Sequence, residues 1–163
     1  MREEREVKWR ERWWKIFAVM VEEVKTFRYL GDVIDSEGGV EMAVRARVAS
    51  VWNKWREISA LLRNEGVPLV HRGAIYEMCI RPVLLYGGEN WALTDRVRNI
   101  LITCDRKMLR YMAGISWEHR VRSAEVVRRC GLVEIEKIIA ARRLRWFGHV
   151  ERRMEDEPLG RVR

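Results

Sequence analysis

Apolar residues recur at steps of three and four along much of this chain, the 3.6-residue signature of helices that bury one side. The clearest run lies from Val40 to Arg63. There Val44, Val48, Val51, Trp52, Trp55, Ile58 and Leu62 form one wide apolar face, and Arg45, Lys54, Arg56 and Arg63 lie off it. Gly66 ends that helix and Pro68 bars its continuation. A second helix is predicted from about Leu69 to Leu85, kinked or split by Pro82, and the GGEN at 87–90 is a loop. Thr94 is placed to cap a third helix running through Met112, which turns Val97, Ile100, Leu101, Cys104, Met108 and Tyr111 inward before Gly114 closes it. A short helix near Val121–Cys130 stops at Gly131, and a last one spans about Val133 to Arg153.

The N-terminal part is less regular. Trp9, Trp13, Ile16 and Met20 follow helical spacing within residues 7–21, which suits either a docked core helix or an interaction surface. In KTFRYLGDVID the period changes to two. Phe27, Tyr29 and Val33 alternate with Arg28, Leu30 and Ile34, predicting a short strand or hairpin around Gly31. SEGG at 36–39 breaks this element, with Ser36 as a candidate cap for the next helix. Residues 154–163 read as a flexible tail. With no repeat or inter-domain linker, the pattern predicts one mainly α domain: a helical bundle with a short N-terminal β-hairpin or strand.

Composition narrows the class. The 163 residues, 48% of them hydrophobic, are enough for one domain with a real core. Charged residues make up 34%, and the longest uncharged stretches, about seven residues, are far short of a membrane span. MREEREVKWRER lacks the apolar segment of a secretory signal, so an intracellular setting, nucleus or cytoplasm, is expected. Cys79, Cys104 and Cys130 are odd in number and widely spaced, which suggests free thiols in a reducing compartment. Combined with His71, His119 and His149 they show no zinc-type spacing, and no metal site is expected.

Charge placement is more telling than the net +8. Residues 1–93 are nearly balanced, with 15 basic and 14 acidic side chains, whereas residues 94–153 hold 15 basic against 7 acidic. Such a local surplus attracts polyanions, or serves only solubility. It culminates in RRLRWFGHVERR at 142–153. On a helical projection Ile135, Ile139, Trp146 and Val150 share one face, with Leu144 and Phe147 beside them. Arg142, Arg145, His149 and Arg152 fall within an arc of about 80° read as the opposite side. Trp146 is thus expected in the core rather than as a base-stacking platform. Arg143 projects toward the apolar side, which suits pairing with an acid inside the fold.

Four segments occur in order: FRYLGDVIDSEGG, RPVLLYGGENW, LRYMAGISWEHRVR and RRLRWFGHVERR. Together they resemble the region after the catalytic palm in reverse transcriptases of LINE-type (non-LTR) retrotransposons. The family patterns are YLG-x-x-I-x-x-x-GG, P-x-L-L-Y-G-x-E-x-W, L-R-x-x-x-G-I-x-W-x-x-R-V-R and R-L-R-W-x-G-H-V-x-R. The resemblance covers about residues 22–153, and Gly88 stands where the family usually has Ala. Residues 1–21 do not match what precedes YLG in that family, as though the palm had been lost or replaced. The resemblance implies that Phe27, Tyr29, Leu30 and Gly31 form a primer-grip hairpin. It implies that the helices from Val40 form a thumb holding the template–primer duplex, and that the basic C-terminal helices contact template RNA or target DNA.

Duplexes of A form are gripped through sugar and phosphate, a task for Arg and Lys rather than for base readers. The candidates for that contact are Arg45, Lys54, Arg106, Lys107, Arg110, Arg120, Arg122, Arg142, Arg145, His149 and Arg152. His149 is either a phosphate donor or a half-buried surface histidine. The expected partners are RNA, DNA or an RNA–DNA hybrid, and the missing palm.

Catalysis by this chain alone is not expected. Two-metal nucleotidyl transfer needs carboxylates converging on ions about 3.5–4 Å apart. The five Asp (32, 35, 95, 105 and 156) include no aromatic-x-Asp-Asp turn, and Asp32 and Asp35 point to opposite faces of a strand. No cofactor is expected, since Mg²⁺ would belong to the missing palm. The expected function is therefore nucleic-acid binding without catalysis. The alternative is a retrotransposon remnant that serves as a helical protein-interaction module, or has no selected function.

Overall fold

A computed structural model describes residues 26–29, 32–35 and 40–156. It is a mainly α bundle. Strands β1 (Thr26–Tyr29) and β2 (Asp32–Asp35) pair antiparallel, with Phe27 opposite Ile34 and Tyr29 opposite Asp32. This is the hairpin expected from the period-two stretch. Leu30 and Gly31 lie outside the described residues, as does the helix expected over residues 7–21.

Helix α1 (Val40–Leu62) is about 34 Å long and packs into the bundle by one face. Val44, Val51, Trp55 and Leu62 are buried along it, with Val48, Trp52 and Ile58 packed beside them. A turn closed by Gly66 N–H donating to Asn64 Oδ1 (2.9 Å) leads to Pro68, which opens α2 (Leu69–Cys79). The second expected helix is indeed split before Pro82: α2 stops and α3 (Arg81–Leu84) follows at once. The GGEN segment forms a 3₁₀ turn, Gly88–Asn90.

Helix α4 (Asp95–Ala113) starts where expected, with Thr94 Oγ1 accepting from Val97 N–H. It ends at Gly114, whose left-handed φ of 66° lets its N–H reach the carbonyls of Arg110 and Tyr111. Tyr111 corrects the inward list. It is half exposed because it sits at the bundle margin, edge-on to Trp52 (6.1 Å). A 3₁₀ turn at Trp117–His119 precedes α5 (Ser123–Arg129), and α6 runs Ile135–Asp156. Residues 154–156, expected in the tail, are instead the last of α6, and residues 157–163 lie outside the described residues.

Two buried polar clusters tie these helices together. Arg72 donates from Nη1 to the carbonyls of Leu62 (3.2 Å) and Met112 (2.7 Å), so one guanidinium satisfies the C-terminal ends of α1 and α4. Asp105 accepts from Arg81 Nε and Nη2, each at 3.1 Å, and from the Tyr76 hydroxyl at 2.9 Å. All three side chains are fully buried, and this bidentate pair locks α2, α3 and α4.

Candidate nucleic-acid interface

Most of the basic candidates on the body of the bundle already have intramolecular partners. Arg45 pairs with Glu41 (2.7 Å) and Lys54 with Glu57 (2.8 Å). Arg106 lies 3.4 Å from Glu136 and 3.9 Å from Glu134, joining α4 to the start of α6. Arg110 donates to the Val121 carbonyl at 2.7 Å and holds the α4–α5 connection down. Lys107 sits over the rings of Trp52 and Tyr111, at 5.8 and 5.9 Å. The arginines of α5 are likewise engaged: Arg128 and Arg129 hold the Glu125 carboxylate down at about 2 by direct hydrogen bonds.

Helix α6 divides in two. Its first turns bury Ile135 and Ile139, and Ile138 is packed against the same core. Arg142 marks the boundary: it is half buried, donates to the Leu85 carbonyl at 3.2 Å and lies 3.9 Å from Glu89. From Arg143 to Arg153 no side chain is buried. Leu144 is 73%, Phe147 60% and Trp146 43% exposed. Trp146 is therefore not a core residue. The projection placed it correctly, on the face continued from Ile135 and Ile139, but by that turn the bundle has run out of neighbours.

Two further corrections concern the arginines. The Arg stripe flanks the apolar face rather than opposing it, since one of its members, Arg142, reaches the bundle itself. Arg143 is exposed and makes no ion pair among the described residues. It lines a hollow of about 330 Å³ with Glu136, Arg98 and Ile139. Among the described residues Arg120, Arg122, Arg143, Arg145, Arg152 and Arg153 have no carboxylate partner. His149 is exposed, its ring 5.9 Å from that of Trp146 and tilted by 36°. The Arg152 guanidinium lies back along the helix over Gly148.

No protein-family model, curated protein or solved structure matches the chain. The four sequence motifs lie at different places in the fold. Within the described residues three of them have a visible structural role or pairing. The YLG motif includes the paired strands. The second motif buries Leu84, Leu85 and Trp91, and Arg81 just before its Pro82 is the buried partner of Asp105. The third buries Leu109 and uses Gly114 as the left-handed cap of α4. In the fourth no side chain is buried.

Elsewhere, a groove of about 710 Å³ between α1 and α4 has Val48, Ile100 and Cys104 at its apolar floor, with Arg96 and Lys107 at the rim. Arg96 is paired with Glu41 at 3.0 Å. Among the described residues no three His, Cys, Asp or Glu side chains converge as metal ligands, and no helix is long and apolar enough to cross a membrane. His119 serves its own turn: Nδ1 accepts from the Ser116 N–H at 2.9 Å. The three thiols are free. Burial pushes Cys104 up to about 12 and Cys130 up to about 11, which removes both as nucleophiles at neutral pH.

Proposed function

We propose that this chain is a thumb-like fragment of a LINE-type reverse transcriptase that binds template–primer nucleic acid through phosphates, without catalysis of its own. The distal half of α6 is its principal contact. One observation above the others supports this: residues 143–153 project beyond the bundle with Arg143, Arg145, Arg152 and Arg153 unpaired among the described residues. A segment held only by solvent has no structural reason to carry four arginines, Arg143, Arg145, Arg152 and Arg153, against a single acid, Glu151. Phosphate binding supplies that reason, because Arg matches phosphate oxygens bidentately. Arg120 and Arg122, exposed in the α4–α5 connection, form a second cationic point.

Phosphate-dominated binding carries a salt signature. Affinity for an RNA–DNA hybrid, measured by fluorescence anisotropy, should fall by about ten-fold or more between 50 and 200 mM salt. Reversing Arg145 and Arg152 to Glu should weaken it further without loss of helicity. Salt-independent binding, or full affinity in the reversed variant, contradicts the proposal. A second reading, a helical protein-interaction module, is favoured by the exposed Leu144 and Phe147 on the other side of α6. Self-association or salt-insensitive association through that side would support it instead.

A further inference from the structure

Phosphate contacts leave part of the same helix unexplained. Trp146 and His149 are one turn apart with rings 5.9 Å from each other, outside the bundle and open to solvent. At 100° per residue, Arg145, Arg152, His149, Arg153 and Trp146 lie within about 120° of one another, so the ring pair and three unpaired guanidiniums share one face. Arg145 and Arg152 are two turns apart, about 10 Å along the axis, and border the rings on one side.

We propose that this face is a stacking platform for unpaired bases, so that distal α6 takes single-stranded RNA or DNA, its rings against bases and its arginines against the adjoining phosphates. The proposal rests on the phosphate-binding reading above and specifies its ligand. Base faces in a duplex are covered by their neighbours, and an exposed indole gains nothing from them. In a single strand every base offers a face, and stacking on an aromatic side chain is tolerant of sequence. Charge argues for a polyanionic occupant of this face: its arginines stand beside the rings, and the one acid of residues 143–153, Glu151, falls on another side of the helix. Leu144 and Phe147 point elsewhere on the helix and are not part of the platform.

The test compares a labelled oligothymidylate with an RNA–DNA hybrid of equal length at one salt concentration. Trp146→Leu, which keeps apolar bulk but removes the ring face, should lower oligothymidylate affinity about ten-fold and leave the hybrid unchanged. Trp146→Phe should restore most of the loss. Because no charge is removed, the salt dependence should be the same in all three proteins. Equal oligothymidylate binding by wild type and Trp146→Leu, or a loss in Trp146→Phe as large as in Trp146→Leu, overturns the stacking platform. If in that case the Arg145→Glu/Arg152→Glu variant still weakens both ligands, the phosphate reading stands without the platform. If it weakens neither, both fall.

Discussion

Asp105 shows how much a single buried residue decides here. It accepts three hydrogen bonds, two from Arg81 and one from Tyr76, and burial together with this carboxylate holds the Tyr76 hydroxyl well above its ordinary value. Replacing Asp105 with Asn leaves Arg81 charged inside the core, with only the distant Glu77 (3.8 Å) to answer it. Urea unfolding should show a loss of about 3 kcal/mol. Nothing along the chain marks this pair, because its members stand 24 residues apart and Asp and Arg are usually surface residues. The cysteines give a second test. A thiol raised in the fold stays neutral there while its unfolded counterpart ionises near 9.0. Its contribution to stability is thus complete below pH 9 and is lost as pH rises toward about 11 for Cys130 and about 12 for Cys104. At pH 8 a thiol reagent should modify the half-buried Cys79 first, and Cys104 and Cys130 only on unfolding. Early reaction at Cys104 would contradict their burial.

The helices were largely legible as elements. The three- and four-residue period of α1, the Thr94 cap, the Gly114 stop and the split before Pro82 each reflect local physics that acts without knowledge of the fold. What periodicity cannot tell is where a helix stops having neighbours. Trp146 continues the apolar stripe of Ile135 and Ile139, yet stands outside the bundle, because length and docking angle are tertiary properties. The same holds for close approach between elements. Gly73 on α2 lies against the end of α5 so tightly that an added Cβ would sit 2.0 Å from the Cys130 carbonyl oxygen. Backbone cannot yield there as a flexible side chain would. Gly73→Ala should therefore destabilise by about 3 kcal/mol through overpacking, measured as a shift in the urea midpoint with unchanged slope. A stable Gly73→Ala protein would mean that α2 and α5 are further apart than described.

At the scale of the molecule, the surplus charge of residues 94–153 divides by use. Arg106 and Arg110 hold helices and loops in place, Arg142 anchors α6, and the cations beyond Arg142 are left to solvent. The basic stretch was visible in the sequence, but this division was not, since it depends on carboxylates and carbonyls brought close by folding. Surface pairs such as Arg45–Glu41 contribute little to stability and attenuate the local positive potential, which concentrates the field on distal α6. The most direct measurement of the central claim is the slope of log affinity against log salt for an RNA–DNA hybrid, in wild type and in Arg145→Gln/Arg152→Gln. Two lost phosphate contacts predict a slope shallower by about two, with helicity unchanged. Identical slopes would mean that these arginines do not touch phosphate, and that distal α6 is only a solvated helix end.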